Sequence, residues 1–262
     1  MHFTWNEDVQ SREDGALFDA LPDLPPAFAE FSRPRVVPID WHKTENQGRI
    51  GSCQGNGLTS LLERLQWVLG KRVQLSRIFA YLATQKLDGL LGSDRGSTIS
   101  GGIKLALQHG VPFETATGYP SKYPGRSDRA KILTQANYDA GAEFKAVSSW
   151  RVGRNHDETL NFIGGGGGIS FGVAWYSGFI PRDRVVRRFN PRSVKGGHAM
   201  VVLGYDEHGN LEAANSHNDG PFKIEPPAWL QMLQHKRTRA VGLLGNTEPQ
   251  PVNWLKDSPH FD

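Results

Sequence analysis

One cysteine in 262 residues excludes any internal disulfide and points to a reducing compartment. Long apolar runs are missing too. Nothing approaches the roughly 20 residues that a membrane-crossing helix needs, so no membrane partner is expected. Excess charge of either sign is absent: 30 basic and 27 acidic residues leave a formal +3. That balance gives no reason to expect nucleic acid as a partner. The opening "MHFTWNEDVQSREDGALF" has no basic segment followed by an apolar one, so no signal peptide is read there. The expected location is cytoplasmic or otherwise intracellular, although a virion-associated or injected protein would look the same. The histidines lack spacings such as HExxH, and no catalytic metal or other cofactor is expected. Five glycines at 164–168 are not followed by Gly-Lys-Ser/Thr, so they are read as a turn rather than a phosphate loop.

What is present divides into halves. Residues 1–34 are polar and then proline-rich, an N-terminal extension that reads as an arm or a short leader. "VVPIDW" (36–41) reads as a short entering strand. Leu58, Leu61, Leu62, Leu65 and Leu69 recur at helical spacing and predict a one-faced helix after Cys53. A second helix is predicted in 75–89, capped by Ser76, and a third in 101–110. Later the pattern changes. "GISFGVAWY" (168–176), "HAMVVLGYD" (198–206), "LEAANS" (211–216) and "PFKIEP" (221–226) read as strands. Helices first and strands later indicate an α+β protein of two lobes with a site in the crevice between them.

The single cysteine stands where the first helix should begin, in "NQGRIGSCQGNG". A helix N-terminus favours the thiolate. The flanking glycines and polar residues are poor core material, which separates Cys53 from an ordinary buried thiol. A nucleophilic thiolate needs an imidazole, and the imidazole an orienting group. His198 opens an apolar strand and Asn215 ends the next, so a hairpin could bring them together.

These segments together resemble the papain-like cysteine peptidases, in particular bacterial and viral-type members. "NQGRIGSCQG" is similar to the family's glutamine and cysteine, six positions apart; "KGGHAMVVLGYD" to its histidine strand; "AANSH" to its asparagine segment. The resemblance spans about residues 36–235. It implies a two-lobed α+β fold, a mainly helical lobe (about 46–125) and an antiparallel β-sheet or barrel lobe (about 140–230). These would sit within a domain of 35–244, followed by a tail at 245–262. It implies hydrolysis of peptide bonds through a thioester on Cys53, with His198 as proton carrier, Asn215 as its orienting group and Gln47 in the oxyanion hole. Extended polypeptide would pair with Ser100, Gly101 and Gly102. Ile103 and Gly172 would line the pocket for the second residue before the cut, and Gly197 completes the substrate-binding set. Gln54 and His217 stand where the family usually has tryptophan, and the His217 side chain is expected to shield the His–Asn bond less well. Two further readings share the fold: a weak or inactive peptide-binding protein, and a transamidase or ligase using the same thioester. The basic segment 182–195 reads as a solvated loop or as a rim for an acidic partner.

Overall fold

The computed structural model describes residues 20–29, 32–152 and 155–245. Of the expected tail at 245–262, all but Gly245 lies outside them. The first long helix, α1 (Cys53–Val68), is the centre of the molecule. Its leucine stripe predicted one buried face, yet every residue from Cys53 to Trp67 is buried. Helices α2 (Arg77–Leu87) and α3 (Ile99–Gln108) cover one side and the sheet covers the other. Its polar residues are therefore bonded internally, as burial requires. Thr59 Oγ1 and Ser60 Oγ donate to the Asn56 carbonyl, and Glu63 Oε1 accepts from the Leu75 N–H at 2.8 Å. Arg64 donates to the carbonyls of Ile163 and Gly167 across the lobe boundary. Leu69, the last member of the stripe, lies beyond the helix and is exposed.

Helix α2 begins as expected, with Ser76 Oγ accepting from the Phe79 N–H at 3.1 Å. Helix α3 starts two residues earlier than its periodicity suggested, because Thr98 caps it through the Gly101 N–H. Two short helices, α4 (Arg126–Ile132) and α5 (Gln135–Gly141), lead to the second lobe.

There the strands β1 (Ser148–Arg151), β2 (Gly168–Tyr176), β3 (Val185–Val186), β4 (Val194–Tyr205), β5 (Leu211–Ala214), β6 (Phe222–Ile224) and β7 (Arg239–Leu244) form one sheet. Its order is β1-β7-β2-β4-β5-β6-β3, antiparallel except for β3–β6. The sheet does not close into a barrel. Helices α6 (His156–Gly164) and α7 (Pro226–Gln234) pack on the lobe. Strand β7 lies beyond the expected end of the β lobe and enters the sheet between β1 and β2. "VVPIDW" contributes only a bridge from Val37 to Tyr205.

The apolar run of β4 splits by the two-residue period of a strand. Val201 and Leu203 join the helical core, while Met200 and Val202 join the core on the opposite face. Along β2, Gly168, Ser170 and Gly172 alternate with Ile169, Phe171 and Val173, and the latter three belong to that opposite core. The small residues admit the helices: a Cβ on Gly168 would stand 2.4 Å from Leu61 Cδ1, and one on Gly172 2.7 Å from Ile99 Cδ1.

The described part of the N-terminal extension lies against the second lobe. Phe28 is buried with Phe162, Arg33 pairs with Asp157, and the Arg151 N–H donates to the Pro22 carbonyl. No described helix is long and apolar enough to cross a membrane.

Candidate active site

Cys53 is the first residue of α1, and its thiol is buried. Burial pushes the thiol pKa up, while backbone N–H groups of Ala199, Gln54 and Cys53 itself pull it down. The thiol therefore lies against the backbone of the residue after His198. Strand β4 carries His198, which is 2% exposed, and β5 ends one residue before Asn215. His198 Nε2 donates to Asn215 Oδ1 at 2.7 Å. An amide oxygen only accepts, so the neutral imidazole carries its proton on Nε2 and leaves Nδ1 as a base. Burial, with a smaller contribution from His217, pulls the His198 pKa down to about 3. Isolated charge is thus disfavoured on both groups.

Gln47 comes from the loop before α1 and is buried. Its Nε2 donates to the Ile50 carbonyl at 3.0 Å, and its Oε1 accepts from Ser216 Oγ at 2.6 Å. The Gln47 N–H donates to the Ser216 carbonyl, Asn46 bridges His217, and the Asn218 N–H donates to the Glu45 carbonyl. The glutamine loop of one lobe and the asparagine loop of the other are therefore laced together. Tyr119 completes the clamp. Its hydroxyl donates to the Gln47 carbonyl at 3.1 Å and contacts Ser52 Oγ at 2.6 Å.

The aromatic cover of His198 is built differently from the sequence expectation. His217 stacks on it, with ring centres 4.4 Å apart at 22°. Trp175 meets it edge-on at 4.7 Å and meets His217 at 5.5 Å. Trp175 is two residues from Val173, which faces His198 across the β2–β4 ladder, so both rings share one sheet face. The indole that shields the pair comes from β2 rather than from the asparagine loop. The alternation of β2 carried this signal, but only its register with β4 could reveal it.

The substrate-binding residues need correction. Ser100, Gly101 and Gly102 are buried inside α3 and offer no extended backbone. A Cβ on Gly101 would clash with Asp88 and one on Gly102 with Gln54 Nε2, so these glycines let α1, α2 and α3 approach. Gln54, in the family's tryptophan position, accepts from Ser97 Oγ and fills that contact. Ile103 is in the helical core, and Gly172 is buried beneath Ile99. Gly197 is buried in β4 opposite Ala174. The loop just before α3 is the segment that reaches the cysteine loop: Asp94 Oδ1 accepts from the Gly51 N–H at 2.9 Å and from Tyr81.

The basic segment 182–195 is partly engaged internally. Arg184 pairs with Asp219, and Arg187 with Asp183 and Glu225. Nothing in this arrangement favours an acidic partner. Among the described residues no cluster of three His, Cys, Asp or Glu could hold a metal ion.

The architecture is the papain-like fold. Xylellain, a cysteine protease from Xylella fastidiosa, superimposes with a TM-score of 0.70 at 22% identity, over 87% of this chain and 92% of that one. A Trypanosoma congolense procathepsin B gives 0.63 at 12% identity, over 94% and 87%. A Carica candamarcensis cysteine protease in complex with E-64 gives 0.58 at 18% identity, over 80% and 100%. No family model and no curated protein matches the chain.

Proposed function

We propose that this protein is a cysteine peptidase, and an endopeptidase, acting through Cys53, His198 and Asn215. The observations that carry the reading are the His198–Asn215 bond of 2.7 Å and the thiol of Cys53, at the first position of a helix, against the Ala199 backbone next to His198. In this reading His198 Nδ1 takes the Cys53 proton, and the thiolate attacks the carbonyl carbon of an extended polypeptide. The oxyanion is held by the Cys53 N–H and by the Gln47 Nε2 hydrogen not given to Ile50. A donor of this kind is worth about 10²–10³ in rate. The imidazolium gives its proton to the leaving amine, and a thioester remains. Water, deprotonated by the now neutral His198, then releases the acid and restores the thiol.

The test is titration with E-64, the inhibitor bound in the Carica complex, followed by intact mass and peptide hydrolysis. Rapid single-site labelling that persists below pH 7 and disappears in Cys53→Ala is expected. Labelling that rises only with an ordinary thiol, near pH of about 8.5, would overturn the ion pair.

A further inference from the structure

An asparagine that serves an imidazole has an ambiguity of its own. Its amide can turn by half a revolution and present NH₂ in place of the oxygen. Facing the His198 Nε2–H, a turned amide would set donor against donor. Something must therefore hold the Asn215 nitrogen side.

The structure assigns this role to Asp219: anchored by Arg184, it fixes the orientation of the Asn215 amide and so positions His198. The assignment rests on the peptidase reading for its catalytic consequence, but not for its geometry. Asn215 Nδ2 lies 3.3 Å from Asp219 Oδ1, 3.5 Å from Oδ2 and 3.3 Å from His217 Nδ1. A carboxylate accepts and never donates when ionised, so it tolerates only the NH₂ face of the amide. His217 supports the same choice while its Nδ1 is unprotonated. Burial holds its pKa below the ordinary value, against the opposing pull of Asp219.

The carboxylate is itself held in place. Arg184 Nη1 reaches Asp219 Oδ2 at 3.0 Å, and the same guanidinium donates to the carbonyls of Gly220 and Pro221. A second observation is independent of these bonds. Among the described residues, only Arg184 and Asn218 have positive φ without being glycine, at 63° and 59°. Both flank Asp219, one in sequence and one as its ion-pair partner. Such backbone is costly and persists where the surroundings dictate it. Here it turns the chain back after Asn215, so that a residue four positions on meets the asparagine's own side chain.

The two Nδ2–carboxylate contacts are longer than the usual limit of about 3.2 Å. They close as His198 becomes charged and draws the Asn215 dipole into line, as catalytic hydrogen bonds commonly tighten in the reacting complex. In this role Asp219 acts through Asn215 and not on the reacting atoms. It is a positioning residue, and its removal should lower kcat and leave KM unchanged.

The experiment compares wild type with Asp219→Ala and Asp219→Asn, in peptide hydrolysis and in nitrogen-15 histidine NMR of the Cys53-methylthio protein. Asp219→Ala should lose about 10-fold in kcat at constant KM, the scale of one lost hydrogen bond. Asp219→Asn keeps an accepting oxygen and should recover to within about 3-fold of wild type. The His198 Nε2–H resonance should be sharp and downfield in wild type and shifted or broadened in Asp219→Ala. A kcat or a resonance unchanged in Asp219→Ala overturns the assignment. If that variant melts too low to assay, Asp219→Ser, too short to reach Asn215 Nδ2, takes its place, and an unmoved resonance there overturns the assignment. A wild-type protein without peptidase activity would remove the peptidase reading, and the resonance would then decide the positioning role by itself.

Discussion

His42 should make this protein lose stability in mild acid, and the size of the loss can be worked out. Its Nε2 lies 2.9 Å from Ser60 Oγ. The Ser60 hydroxyl already gives its hydrogen to the Asn56 carbonyl, so the serine oxygen accepts and His42 carries its proton on Nε2. Burial pulls the pKa of this imidazole from 6.5 down to about 4. The folded state thus prefers neutral His42, and the unfolded chain binds a proton below pH 6.5. The stability from His42 is fully present above that pH and is lost as pH falls toward 4. By linkage the loss between pH 7 and 5 is about 2 kcal/mol, and somewhat less allowing for the partly exposed ring.

Glu63 acts in the opposite sense. Burial raises its pKa from 4.5 to about 8, so its contribution is present below pH 4.5 and is lost as pH rises toward 8. Between pH 5 and 7 that loss is also about 2 kcal/mol. These two effects nearly cancel each other, but His198, held down at about 3, adds a loss of its own in acid, so the wild-type curve does not separate them. Urea unfolding of wild type, His42→Gln and Glu63→Gln at pH 5 and 7 separates them. Relative to wild type, His42→Gln should gain about 2 kcal/mol on going from pH 7 to 5. Glu63→Gln should gain a similar amount on going from 5 to 7. A difference constant within about 0.5 kcal/mol for either variant would refute the reasoning for that group.

Two further outcomes follow from packing. Trp175→Ala uncovers the His198–Asn215 bond, so the inflection in the pH dependence of Cys53 alkylation should rise toward about 8.5; an unmoved inflection would mean that the indole has no electrostatic role. Gly168→Ala places a methyl 2.4 Å from Leu61 Cδ1 and should cost about 1–3 kcal/mol of unfolding free energy. Leu61→Val in the same chain should recover part of that, and strict additivity of the two changes would contradict the contact.

The helices α2 and α3 and the strands β2, β4, β5 and β6 were legible along the chain, because each carries its own period, cap or turn residue. The lone cysteine at a helix start, the histidine at a strand's mouth and the asparagine after the next strand were legible for the same reason. Each is a local pattern that needs no knowledge of a distant partner. The burial of α1 on every side was not legible, because its polar residues find partners such as Leu75, Ile163 and Gly167 only in the assembled fold. The substrate glycines were misplaced for a related reason. A glycine needed for close helix packing and a glycine needed for a bound peptide look the same in sequence, and only the neighbouring Asp88 and Gln54 distinguish them. Trp175 over His198 depends on the register of β2 against β4, and Asp219 under Asn215 on two left-handed backbone positions. Local chemistry along the chain determined which groups could react. Their orientation, shielding and protonation were decided by contacts between residues far apart in sequence, which exist only once both lobes have packed against α1.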